Sequence, residues 1–297
     1  MAKSIRDYIA EKDQSYRLGK NKRMVQLNKD HVSIDKIKEC LERSGYMLES
    51  RLVRALADLG YFVEPNQVVQ DPRTGKTREI DLIAEYFRKE REQTDVFVNT
   101  TIVVEAINNR FPFVLLTKRP SSPNVLYDSC FKYAISPKSV FLCDDLFEAL
   151  SIDWDNLFSQ YCVFNKKKTN KEFIATHSDD VYSSLLKLSE YIENELSNLN
   201  LDDFPDSDVC WRIFFWRPML VLSGQLVSSH TGKNGTPELK EVNRGLLEFN
   251  WHAGDRPQTT LIEVITEECF IEQIAVIIEK DAVLERKMYS FRQQRSL

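Results

Sequence analysis

The chain has 297 residues, enough to bury a substantial core as one elaborated domain or two. Hydrophobic residues make up 42% and charged residues 29%, the balance of an ordinary globular protein. The net charge of -5 and a pI near 5.6 exclude any nucleic-acid argument from overall charge, so such a reading needs local basic patches.

Residues 1–30 form one such patch. Eight Lys or Arg stand against four acids, a local charge of +4, densest at Lys20-Asn21-Lys22-Arg23. The patch can contact phosphates, or it can be a solvated arm that packs little. Ser33 reads as the N-cap of a helix through Leu41, which Ser44-Gly45 breaks. A second helix follows, with Leu48, Leu52, Ala55 and Leu59 at helical spacing and Gly60 as its stop. Glu49 lies beside that stripe, at the border of core and surface. By itself it reads as a surface acid within reach of Arg51 or Arg54.

Tyr61–Val63 and Val68-Val69 bracket a strand interrupted by Pro65. Asp71-Pro72-Arg73-Thr74-Gly75-Lys76 is a turn cluster, and Thr77 to Tyr86 is the return strand of a hairpin. On that strand Glu79 and Asp81 share one face, while Ile80 and Leu82 share the other. Arg88 to Asp95 reads as a charged loop. Thr101-Ile102-Val103-Val104 is a β-branched apolar run of the kind buried on both faces of a sheet. Glu105 stands where that run stops. A carboxylate there is costly unless something pairs or uses it.

Phe113 to Thr117 is a further apolar run, and Ser121 to Asn124 a loop. Val140 to Leu142 reads as a strand, and Asp144 to Leu157 and Ser178 to Leu199 as helices. Lys166-Lys167-Lys168, in the loop expected between those helices, is a second basic spot. The stretch NLNLDDFPDSD, from Asn198 to Asp208, is an acidic linker. Ile213–Trp216 and Met219–Leu222 are strand signals on either side of Pro218. Leu246–Trp251 and Thr259–Thr266 flank the turn HAGDRP, and a final amphipathic helix runs from about Cys269 to Tyr289. The alternation of strands and helices gives an α/β sheet.

The six Cys form no C-x-x-C pair and read as buried thiols in a reducing compartment. His31, His177, His230 and His252 have no metal-ligand spacing. No apolar run is long enough to span a bilayer, and the N-terminal residues carry charges where a signal peptide needs its apolar region. The expected location is cytoplasmic. The aromatic group Trp211, Phe214, Phe215 and Trp216 reads as core before it reads as a base-stacking platform.

A helix acid (Glu49), a strand acid after a hairpin turn (Asp81) and an acid closing the next strand (Glu105) form an ordered set. In this order the chain resembles the PD-(D/E)xK, or restriction-endonuclease-like, nuclease superfamily over roughly residues 45–140. The resemblance implies a restriction-endonuclease-like mixed sheet flanked by helices, with an appended C-terminal α+β portion. The expected division is 1–44 as basic arm and helix, 45–150 as nuclease-like core and 151–297 as the C-terminal portion. It further implies Asp81, Glu105 and the Ala106 carbonyl as Mg2+ ligands, with Glu49 acting on the attacking water. The family Lys falls on position 107, which is Ile107 here and has the same strand parity as Glu105.

An aliphatic side chain at 107 can neither donate a hydrogen bond nor carry charge. Two outcomes follow: catalysis is lost, or another cation has moved in, with Lys118, Arg110, Arg78 and Arg51 as the near candidates. The leading expectation is a nuclease-like protein that interacts with nucleic acid, DNA foremost, and is degenerate at the catalytic Lys. The alternatives are an active Mg2+-dependent endonuclease with a displaced cation, and a non-catalytic protein-interaction subunit with a protein partner or a second copy of itself. No membrane partner is expected.

Overall fold

The computed structural model describes residues 31–70, 75–86, 96–118, 132–136, 156–167, 169, 171–200, 210–232 and 234–295. The basic stretch 1–30, the 71–74 turn, the loops expected at 88–95 and 121–124, the strand expected at 140–142 and the linker at 201–208 lie outside these, as do Lys168 and nearly all of the helix expected at 144–157. The chain divides into two units, 1–44 and 45–297.

In the first unit, α1 (Ile34–Arg43) is capped by Ser33, whose side chain accepts a hydrogen bond from the Lys36 amide. The second unit contains α2 (Tyr46–Asp58), β1 (Tyr61–Gln70), β2 (Thr77–Tyr86), β3 (Val96–Ile107), β4 (Phe113–Lys118), β5 (Lys132–Ser136), β6 (Leu157–Lys166) and β7 (Phe173–Thr176). It continues with α3 (Asp179–Asn198), β8 (Trp211–Leu222), β9 (Leu226–Thr231), β10 (Pro237–Glu241), β11 (Arg244–Ala253), β12 (Arg256–Thr266) and α4 (Glu267–Arg295).

The strands form one mixed sheet ordered β1-β2-β3-β8-β12-β11-β6-β4-β9-β10, with β5 on β8 and β7 on β6. The three leading strands are antiparallel, as the hairpin pattern requires. β3 then pairs in parallel with β8 along its whole length. The fold is therefore mixed α/β, a large mixed sheet flanked by helices.

The expected division near residue 150 does not follow this sheet. Strands from both sides of that point alternate in it, so 151–297 is not an appendage. The reason is the apolar content of β3. A strand buried on both faces needs a neighbour along each edge, and the equally apolar β8 supplies the second one.

Two other departures have local causes. Pro65 does not interrupt β1, because among the described residues β1 is an edge strand and one side of its backbone needs no partner. Pro218 lies inside β8, in the gap where that edge changes neighbour from β5, which ends at Trp216, to β12, which starts at Met219. Among the described residues no strand pairs with Pro218 along that edge. Leu157, expected to end a helix, instead opens β6, whose LFSQYCVFNK stretch had been expected as loop.

The two sheet faces have separate cores. Val181, Leu185, Leu188 and Ile192 of α3 pack with Val103, Leu220, Ile262 and Val264 on one face. Leu48, Leu52 and Leu56 of α2, with Phe270, Ile274 and Ile277 of α4, pack with Ile102, Val104, Met219 and Val221 on the other. Adjacent residues of β3 thus serve opposite layers, which is the period-two alternation of a doubly covered strand. Trp211 and Phe215 are buried with Leu284 and Met288, which places this aromatic pair in the core. Cys162 and Cys210 are buried, but Cys40 is exposed and Cys269 half-buried, so the expectation of uniformly buried thiols does not hold. Among the described residues no helix is long and apolar enough to cross a membrane.

Candidate active site

The site is built where β2 and β3 part. Their ladder runs from Glu85↔Thr101 to Leu82↔Val104 and ends there. Beyond that point β2 changes sides: Leu82 lies in the core under α2 and Ile80 in the core under α3, so the expected sharing of one face by Ile80 and Leu82 does not hold. The irregularity falls at Asp81, opposite Asn66 with its φ of +53°. Beyond Leu82 the backbone pairing is replaced by a side chain: Asp81 Oδ2 accepts the Ala106 N–H at 2.8 Å. The Asp81 carboxylate therefore sits in a fork between the two strands.

Glu105 faces α3 and is 2% exposed. The Lys187 Nζ of α3 lies 2.6 Å from Glu105 Oε2 and donates a second hydrogen bond, of 3.0 Å, to the Glu79 carbonyl oxygen. The Ser184 hydroxyl, one turn earlier on α3, also donates to Glu105. Glu105 Oε1 is buried and has no hydrogen-bond partner. An orphaned carboxylate oxygen in such a place is an energetic cost that a ligand would relieve.

The electrostatics agree with this geometry. Burial, reinforced by the Asp81 charge, pushes the Glu105 carboxyl up to about 7 against the pull of Lys187. Burial also raises Asp81, opposed by the Ala106 hydrogen bond and by Lys187. Glu49 is raised by burial, by Asp81 and by Glu79, and is lowered by Lys187. Glu49, in the first turn of α2, thus reaches the same field from the other layer of the sheet. Several carboxylates share one ammonium, and the surplus negative charge favours a cation.

The expected residues divide in a definite way. The Asp81 charge acts on both Glu105 and Glu49, and Lys187 acts on all three. Glu49 does not pair with its helix neighbours: Arg51 is bound to Glu267, with an Nη2–Oε2 distance of 2.8 Å, and Arg54 faces Asp58. Ile107 is half-buried and packs against the α3-side core, so the parity expected for it holds. Ala106 packs on the opposite face, with its N–H held by Asp81.

The cation candidates named from the sequence go elsewhere. Arg51 is tied to Glu267, Arg78 stands 3.5 Å from Glu190, and Arg110 lies over the Phe111 ring. Lys118 is exposed at the end of β4, which runs between β6 and β9 in another part of the sheet. The residue that reasoning missed is Lys187. One signal for it existed. Ser184, Lys187 and Tyr191 follow helical spacing alongside the apolar stripe of Val181, Leu185, Leu188 and Ile192. A Lys bordering such a stripe comes within reach of the sheet.

Other sequence candidates fall outside the site. Lys167 of the second basic spot pairs with Glu172, His230 with Glu238, and His177 lies against Tyr161. Among the described residues no three His, Cys, Asp or Glu side chains form a ready-made cation cage. Comparison with protein-family models, with curated proteins and with solved structures gave no match.

Proposed function

We propose that this chain is a divalent-cation-dependent phosphodiesterase acting on nucleic acid, a PD-(D/E)xK-like nuclease in which Lys187 supplies the cation that position 107 lacks. The observation that carries the reading is the 2.6 Å contact between Lys187 and Glu105, at the face and strand end where Ile107 cannot act. This favours the displaced-cation form over a degenerate site.

Asp81 and Glu105 are the carboxylates that would hold a hard cation, and Glu105 Oε1 has no hydrogen-bond partner. Mg2+ suits so small a protein donor set, because it keeps several of its own waters. When bound, it would polarise the phosphate and make an attacking water more acidic.

The side chains divide the remaining work. Lys187 donates to a non-bridging phosphate oxygen or to the attacking water, its ammonium held over the fork by Glu105 and the Glu79 carbonyl. Glu49 orients that water or accepts its proton from the rim. Its raised affinity for protons suits such a role. A bound cation would also offset part of the chain's net charge of -5 toward an approaching phosphate.

The test is incubation of labelled single- and double-stranded DNA and RNA with the protein, in Mg2+, in Mn2+ and in chelator. Cation-dependent cleavage, lost in Asp81→Asn and Lys187→Met, is the expected result. Absence of cleavage on every substrate, together with no cation binding by calorimetry, would instead favour a non-catalytic interaction subunit.

A further inference from the structure

A cavity of about 350 Å³ begins at Lys187 and runs between α3 and the β1–β2 hairpin. Nothing in the chemistry of the fork uses it. Its volume lies at the small end of ligand sites, which span about 300–1,000 Å³. Along α3 it extends from Lys187 to Glu195, two turns, or about 12 Å at the helical rise. That is room for one nucleoside and not for a duplex.

Lys187, bound to Glu105, and Arg78 with its partner Glu190 line it. Gln67 from the hairpin and Asn194 from α3 bring amides from opposite walls, and the Tyr191 ring and Val69 also line it. Each amide carries both donors and an acceptor, the complement of a base edge. An aromatic ring beside an apolar side chain gives a base a surface to stack on. At the far end Glu195 would repel a phosphate, yet it can accept from an exocyclic amine or a ring N–H. Lys187 also borders the fork, which gives one orientation: phosphate at Lys187, base toward Asn194.

We propose that this cavity holds the unstacked base of the nucleotide flanking the phosphodiester at the fork, with Gln67 and Asn194 reading its edge and Tyr191 stacking on it. The proposal rests on the nuclease reading for its phosphate end. It makes the preferred substrate a single-stranded or unpaired nucleotide, since a paired base cannot enter.

The experiment is calorimetric titration of the full chain, in chelator, with each of the four nucleoside 5′-monophosphates in the ribo and deoxy series and with inorganic phosphate. Asn194→Ala and Gln67→Ala are compared; both sites are at least partly exposed, and Ala suits the helix at 194. At least one monophosphate should bind tenfold or more tightly than phosphate. Both variants should lose at least tenfold of that affinity or change the preferred base, with phosphate binding unchanged. Equal binding of monophosphates and phosphate, or unaltered binding in both variants, overturns the proposal. Nucleotide binding without cleavage of any substrate would sink the nuclease reading and leave the base pocket standing. Cleavage without base discrimination would do the reverse.

Discussion

Lys187 and Glu105 are in contact across two layers of the fold: the Nζ of a mid-helix Lys lies 2.6 Å from a carboxylate oxygen at the far end of a buried strand. The same ammonium bonds the Glu79 carbonyl, so one side chain holds both strands of the fork. That dual role lets its functional and structural contributions be separated by experiment.

The first prediction is a relocation. Lys187→Met should lower cleavage by at least about 100-fold, the scale of removing one preorganised charge from a reacting centre. Adding Ile107→Lys should restore part of it, because position 107 shares the face of Glu105 and borders the same core. Single-turnover cleavage by the two variants is the measurement. An unchanged rate in Lys187→Met would exclude the residue from the chemistry.

The second concerns stability. Glu105 is 2% exposed and the Lys187 side chain 18%. Removing one partner of a buried pair costs about 3–5 kcal/mol. Lys187→Met should therefore unfold at lower urea concentration, with the greatest loss above pH 7, where Glu105 cannot escape by taking a proton. Lys187→Met combined with Glu105→Gln should recover most of the difference.

The third is a pH dependence with a fixed sign. Glu105 has its proton affinity raised from 4.5 to about 7 on folding. Between those values the folded state binds more protons than the unfolded state, so stability falls as pH rises through this window. The shift corresponds to about 3 kcal/mol. The raised affinities of Asp81 and Glu49 act in the same direction. Urea midpoints measured from pH 4 to 8 should show this decline, and Glu105→Gln should flatten it. Cleavage should rise over the same interval, since only the ionised carboxylate holds a cation.

The fourth addresses the exit of β3. The Asn109 side chain accepts the Gly224 N–H at 2.8 Å and donates to the Phe111 and Gln225 carbonyl oxygens, while Asn108 accepts from the Ser223 hydroxyl. These bonds clamp the end of β3 to the end of β8. A Cβ on Gly224 would lie 2.2 Å from the Asn109 carbonyl oxygen, which is backbone and cannot give way cheaply. Gly224→Ala should cost about 2 kcal/mol or more, and Asn109→Ala about as much, at roughly 1 kcal/mol per lost bond. Thermal unfolding checks both.

The two Asn after Glu105 could be read from the sequence only as a loop. Their partners, Ser223 to Gln225, belong to a strand end far along the chain. The hairpin of β1 and β2, the apolar β3 and the α3 stripe were all legible because each signal lies within its own segment. The parity assumed for β2 breaks at Asp81, where Leu82 and Ile80 fall into opposite cores, and no local pattern marks that break.

By itself, then, the sequence determined the period of the β1–β2 hairpin, of β3 and of α3, and the placing of Glu105 and Ile107 on one face of β3. These are matters of local backbone geometry, in which residues two apart on a regular strand share a face. Only the tertiary structure decided that β8 lies beside β3, that Pro218 falls in a gap between neighbours, that Arg51 and Arg78 are taken by Glu267 and Glu190, and that Lys187 reaches Glu105. Each of these depends on how an apolar face is covered by a distant segment. Burial drives that covering without regard to sequence separation, so no short window of residues records its outcome.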